Sequence, residues 1–129
     1  MAGKNQKIQS HEIVIEKIDD KHDLSSFKSY EKELVDFIIE DARNNQKQKL
    51  SVTFLWFYEK NLVGYVTLLN DKINLEGNLK EFFRGKDIHY KSLPALKIGR
   101  LCVHDDFLKR GIGRLMVLFA IKQANEISE

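Results

Sequence analysis

One stretch constrains this chain more than any other: Pro94 to Arg114, P-A-L-K-I-G-R-L-C-V-H-D-D-F-L-K-R-G-I-G-R. The apolar run Ala95 to Val103 predicts a buried strand, and a charged turn leads to Gly111 and Gly113, after which a helical pattern starts at Ile112. The order is strand, glycine turn, helix start. The first N–H groups of a helix have no intrahelical acceptor and carry the positive end of its dipole, so they suit a phosphate. Two glycines let the backbone bend and approach such a group with no Cβ in the way. Taken alone, a Gly-x-Gly pair is equally an ordinary tight turn, so its context decides the weight it carries.

That context comes from the rest of the chain. Residues 1–10 are polar and basic, with no apolar pattern to dock them, and read as a disordered lead before a single domain, 11–129. Glu12 to Ile18 predicts a first strand. From about Ser25 to Asn45 the residues Phe27, Tyr30, Leu34, Phe37, Ile38 and Ala42 recur at spacings of three and four, which predicts an amphipathic helix in one piece or two. The run R-N-N-Q-K-Q-K that ends it has no apolar residue to hold it on a core. Val52 to Tyr58 and Leu62 to Leu69, separated by Glu59, Lys60 and Asn61, predict an antiparallel hairpin with Trp56 in the core. Asn70 to Leu93 reads as a longer connection with a short helix near Leu79 to Phe83. The last helix, Ile112 to about Ile127, is apolar on nearly every side and is expected to be largely buried.

Charge separates the two ends of the chain, although the net value is only +2. Between His11 and Asp41 ten acidic residues face four lysines, a balance of −6. Between Lys80 and Arg114 nine basic residues face four acidic ones, a balance of +5. The second half is therefore the anion-facing half, suited to a phosphorylated cofactor and also to RNA. No apolar run approaches the ~20 residues that cross a bilayer. The lone Cys102 has no internal partner, which fits a reducing, cytoplasmic location. No membrane association and no metal are expected.

The strand closing in L-C-V, the turn R-G-I-G and the helix after it resemble the acetyl-coenzyme A site of the GNAT superfamily of N-acetyltransferases. Gly64, early in the second hairpin strand, resembles a glycine that these enzymes often carry. The family places Gln or Arg three residues before the first glycine, where this chain has Leu108. The resemblance implies an α/β (α+β) fold: a mixed, largely antiparallel sheet flanked by helices, here lacking the family's C-terminal strands. It implies that backbone groups of Leu101, Cys102 and Val103 pair with the pantetheine arm of acetyl-CoA. It also implies that Arg110, Gly111, Ile112, Gly113 and Arg114 present N–H groups to the pyrophosphate, with Lys109 and Arg114 adding charge. The family's fifth strand normally flanks the fourth, so an uncovered edge is expected beside Ala95 to Val103. Self-association as a homo-oligomer or strand-exchanged dimer, or a partner supplying the missing piece, is the expected consequence.

The implied reaction passes an acetyl group from acetyl-CoA, the acyl donor, to a primary amine. Many family members carry a glutamate on the fourth strand as general base, but Lys97, Ile98, Gly99 and Arg100 stand there. The segment P-A-L-K-I-G-R-L-C-V is similar to the strand of GNAT toxins that acetylate aminoacyl-tRNA, whose acceptor amine has a low pKa. In that subfamily Arg100 matches an arginine and the tRNA is the partner. His104, with an unperturbed pKa near neutrality, joins Arg100 as a candidate catalytic group. Cys102, inside an apolar strand, reads as a small buried hydrophobe rather than a nucleophile. The alternative is a catalytically incomplete CoA-, RNA- or protein-binding domain of the same fold.

Overall fold

The computed structural model of the chain describes residues 6–74 and 92–128. Four strands form one antiparallel sheet in the order β1 (Ile13–Lys17), β2 (Val52–Tyr58), β3 (Asn61–Asn74) and β4 (Ser92–Val103). Each strand pairs with its neighbour in sequence, and the β2–β3 pair is the hairpin that the sequence pattern predicted. Strands β3 and β4 run beyond the expected Leu69 and Ala95, pairing out to Asn74 opposite Ser92. The short helix expected near Leu79 to Phe83 lies outside the described residues.

Period-two alternation in the strands separates two cores. Leu55, Tyr65 and Cys102 point to one face, where they meet Ile18, Leu24, Phe27, Phe37, Ile38 and Ala42. Trp56, Val66 and Leu68 point to the other, against Ile112, Met116 and Ala120. Burying one such aliphatic side chain contributes about 1.5–3 kcal/mol, so both faces help hold the sheet. Thr53 and Thr67, opposite each other and fully buried, satisfy one another through a 2.8 Å hydroxyl contact. Trp56 is in the core as expected, 2% exposed, with its indole N–H unpartnered among the described residues.

The first helical region begins later than its periodicity implied. Residues 25–31 are irregular, and the helix is built from α1 (Lys32–Asp36), a π-helical turn (Phe37–Asp41) and α2 (Ala42–Lys47). The π turn turns Phe37 and Ile38 into the core while Ile39 stays exposed. The polar run at its end is held after all, by hydrogen bonds instead of apolar contacts. Arg43 donates to the carbonyls of Asp19 and His22. Gln46 donates to the Ile18 carbonyl at 2.9 Å and accepts from the Thr53 N–H at 2.9 Å.

Three further corrections bear on function. The hairpin loop is two residues, Glu59 and Lys60, both left-handed at φ 49 and 68, while Asn61 already belongs to β3. The final helix, α3 (Ile112–Ser128), buries Ile112, Met116 and Ala120 but leaves Val117, Leu118 and Ile121 about half exposed, so it is not covered all round. The lead is not wholly undocked either. Ile8 is 4% exposed and packs in the α3-side core, because an isoleucine after a polar run is enough to seat one turn of chain.

Candidate functional site

The glycine turn forms as the sequence indicated, and its geometry leaves donors open. After β4 ends at Val103, a 3-10 turn (Asp105–Phe107) leads through Lys109 at φ 62 and Gly111 at φ 86 into α3. The first helical bond joins Leu115 N–H to the Gly111 carbonyl at 3.2 Å. Among the described residues, the N–H groups of Gly111, Ile112, Gly113 and Arg114 have no acceptor. A Cβ on Gly113 would meet nothing within 4 Å, and one on Gly111 would meet only the Lys7 Cδ at 3.5 Å. The turn thus gathers N–H groups without an acceptor among the described residues at the positive end of a 17-residue helix, with Gly111 and Gly113 half-buried, Arg114 exposed and Ile112 buried.

Around it lie cations with different duties. Lys109 and Arg114 are exposed. The Arg110 guanidinium is committed to the fold: its Nε donates to the Gln6 carbonyl at 2.8 Å, and it lies over the rings of Tyr58 and Phe107. Only the backbone of Arg110 is therefore free to serve as predicted. Leu108, where the resemblance implies Gln or Arg, is exposed and contributes no donor.

Beside the turn, β4 pairs with β3 on one side and with no strand on the other among the described residues. The register shifts between Thr67 and Leu68, so that Arg100 opposes Thr67 and Ile98 opposes Leu68, and Gly99 is the extra residue of a bulge. Leu101 and Val103 turn toward α3, and Cys102 turns to the opposite core. Burial pushes the Cys102 thiol above its ordinary pKa, opposed by a hydrogen bond with Ser29. It is a small buried hydrophobe, as its sequence context indicated.

The two candidate catalytic residues part company. His104 is 6% exposed, neither a loop histidine in solvent nor a free base. Its Nδ1 accepts from the Asp106 N–H at 3.0 Å, so its Nε2–H donates to the Ser26 carbonyl at 3.0 Å. Its ring packs edge-on against Phe27 and Phe107. Both nitrogens are used to cap the 3-10 turn and pin residues 25–30 to it, which leaves none to take a proton from a substrate. Arg100 is exposed at the sheet's edge with its guanidinium 3.9 Å from the Phe37 ring centroid, and among the described residues its N–H donors have no acceptor. That stacking has no sequence signal, because the π turn that presents Phe37 leaves no mark in the apolar spacing. Tyr65, the nearby phenol, is spent: its hydroxyl donates to the Leu34 carbonyl at 2.6 Å, and burial raises its pKa.

A strand without a second neighbour among the described residues, feeding a helix N-terminus, has the geometry to receive an extended phosphorylated ligand. The profile of the Acetyltransferase (GNAT) family matches residues 15–128, and the chain belongs to that family, the N-acetyltransferases that move an acetyl group from acetyl-CoA to an amine. No curated protein matches the sequence significantly. Among solved structures, a point mutant of KacT aligns with a TM-score of 0.70 at 23% identity, over 88% of this chain and 69% of that one. AtaT complexed with acetyl-methionyl-tRNAfMet aligns at 0.69 and 22%, over 86% and 68%. AtaTR bound with AcCoA aligns at 0.70 and 23%, over 88% and 69%. At these identities the likeness establishes the fold, the four-stranded sheet with its helices.

Proposed function

We propose that this chain binds acetyl-CoA along β4 and at the opening of α3, and passes the acetyl group to the α-amino group of an aminoacyl-tRNA. The observation that carries the reading is a strand with no second neighbour among the described residues and no carboxylate from Lys97 to Val103, leading onto helix N–H groups that have no acceptor among those residues. A backbone edge of this kind can pair with the amides of a pantetheine arm as an added strand would, through Leu101, Cys102 and Val103. The N–H groups of Arg110, Gly111, Ile112, Gly113 and Arg114 suit the diphosphate, with the side chains of Lys109 and Arg114 adding charge. Bound there, acetyl-CoA supplies an acetyl group already activated as a thioester.

The acceptor class follows from what the strand lacks. A lysine side chain, with a pKa near 10.4, is only about 0.1% neutral at pH 7.4 and requires a base to become a nucleophile. An α-amino group, with a pKa near 7.7–8.0, is already about a quarter neutral. A site without a strand carboxylate, and with His104 fully engaged, therefore favours the α-amine. Arg100, exposed at the strand's edge, is the side chain assigned to the acceptor, where its fork of donors suits a phosphate. The relative solved with acetyl-methionyl-tRNAfMet points to the same acceptor.

Release of free thiol from acetyl-CoA, measured with charged tRNA, free amino acids and lysine peptides in parallel, tests this. Turnover with charged tRNA alone is the expected result. Turnover on lysine peptides refutes the acceptor, and CoA binding without turnover on any amine supports the catalytically incomplete alternative. The exposed Val117, Leu118 and Ile121 on α3 and the open side of β4 support association of two copies, measurable as mass by light scattering. A buried thiol without a disulfide partner is suited to the cytoplasm. No helix among the described residues is long and apolar enough to cross a membrane.

A further inference from the structure

The N-terminal segment is fastened to the glycine turn at three points. Ile8 N–H donates to the Arg110 carbonyl at 2.9 Å, Arg110 Nε donates to the Gln6 carbonyl at 2.8 Å, and Lys7 Nζ donates to the Lys109 carbonyl at 3.4 Å. Ile8 anchors the segment in the core that holds Ile112 and Met116 of α3. All three bonds fall on carbonyls or on the Arg110 side chain. None consumes an N–H of Gly111 to Arg114, so the strap grips the turn from its acceptor side and leaves the donors free.

That grip matters because the turn is not a relaxed one. Lys109 sits at φ 62, a region that residues with a Cβ seldom adopt, directly before the strapped Arg110 and Gly111. Lys7 lies across this same place: its Cδ is 3.5 Å from where a Gly111 Cβ would stand, and its exposed side chain carries the ammonium to the Lys109 carbonyl, two residues before Gly111. Arg110, the cation adjacent in sequence, faces the other way.

We propose that Gln6 to Ile8 forms part of the cofactor site: Ile8 is a positioning residue that fixes the Lys109 to Gly111 turn, and Lys7 contributes a cation to the bound diphosphate. This rests on the acetyl-CoA reading above. Titration calorimetry with coenzyme A on the full chain tests it, comparing native protein with Lys7→Ala, Lys7→Arg, Lys7→Glu, Ile8→Ala and Ile8→Leu. Lys7→Ala is expected to weaken binding about 3–10-fold and Lys7→Glu further, while Lys7→Arg stays near native. At 0.5 M salt these differences should shrink, because an exposed charge contact is screened over a few ångströms there. The unliganded melting temperature of Lys7→Ala should stay within about 2 °C of native, since the Lys7 bond to the Lys109 carbonyl is long and exposed and Ile8 still anchors the strap, so a binding loss is not a folding loss. Ile8→Ala should also weaken binding, with Ile8→Leu restoring it. Native protein that binds coenzyme A while Lys7→Glu and Ile8→Ala bind it equally well overturns the inference. Native protein that gives no heat with coenzyme A overturns instead the cofactor reading on which it rests.

Discussion

Gly64 is a position where sheet and helix approach too closely for a Cβ, and Gly64→Ala gives a worked test of the fold around the site. A Cβ there would stand 2.5 Å from Met116 Cε on α3 and 2.6 Å from the Cys102 carbonyl oxygen on β4. Ordinary carbon contacts lie near 3.5–4.0 Å, so both neighbours would have to retreat by about 1 Å or more. Met116 is a flexible side chain and can swing away. The Cys102 carbonyl is backbone, held in the β3–β4 ladder where Tyr65 pairs with Cys102, and it moves only if the ladder opens. Overpacking of this kind costs typically 1–3 kcal/mol, and the backbone half of the clash puts the expected value at the upper end, about 2–3 kcal/mol. For a domain of this length each kcal/mol lowers the melting temperature by roughly 4 °C, so a fall of about 8–12 °C is expected by circular dichroism. Adding Met116→Ala should not recover the loss, because it relieves the side-chain contact alone. A Gly64→Ala protein melting within 2 °C of native would refute the close approach of β3, β4 and α3 on which the site's geometry depends.

Other perturbations separate the site from the scaffold. Gly113→Leu meets open space, so its melting temperature should stay within about 2 °C of native, helped by a better helix former, while coenzyme A affinity falls at least about tenfold by calorimetry. Replacing Glu59-Lys60 by Asn-Gly should raise stability by about 1 kcal/mol in urea melts, because both residues sit in the left-handed region that this turn demands. Alkaline pH should destabilise the fold. Tyr65 and Cys102 have raised pKa values, chiefly through burial, so the unfolded chain loses their protons first. Their contribution is intact below the unfolded values, about 10 for the tyrosine and about 8.5 for the cysteine, and is lost as pH rises beyond them. Urea melts from pH 7 to 11 should show that decline, and Tyr65→Phe should flatten its upper part. Stability constant to pH 11 would refute the burial of both groups.

Much of this architecture was legible because its strands and helix write strong periodic patterns. The alternation from Val52 to Tyr58 and from Leu62 to Leu69 declared a hairpin, and the glycines at 111 and 113 declared the turn. What sequence could not show was which polar groups the fold would consume. His104 looks like a catalytic histidine until the carbonyl of Ser26, from 78 residues earlier, claims its Nε2. The Arg110 side chain reads as one more positive charge beside the turn until Gln6, 104 residues away, accepts from its Nε. Both are long-range pairings with no local signature. The docked strap was missed for a related reason: a single isoleucine carries no period, yet one buried side chain and three hydrogen bonds suffice to hold a short segment. The partly exposed face of α3 was missed because an all-apolar helix pattern states what can be buried, and the sheet covers one side.

The central claim is that the amides opening α3 and the outer strand beside them receive the cofactor. The most direct measurement is a two-dimensional amide spectrum of isotope-labelled protein during titration with coenzyme A. The largest shifts should fall on Gly111, Ile112, Gly113 and Arg114 and on Leu101 to Val103, saturating together. Shifts confined to other residues, or a spectrum unchanged at millimolar coenzyme A, would contradict the account.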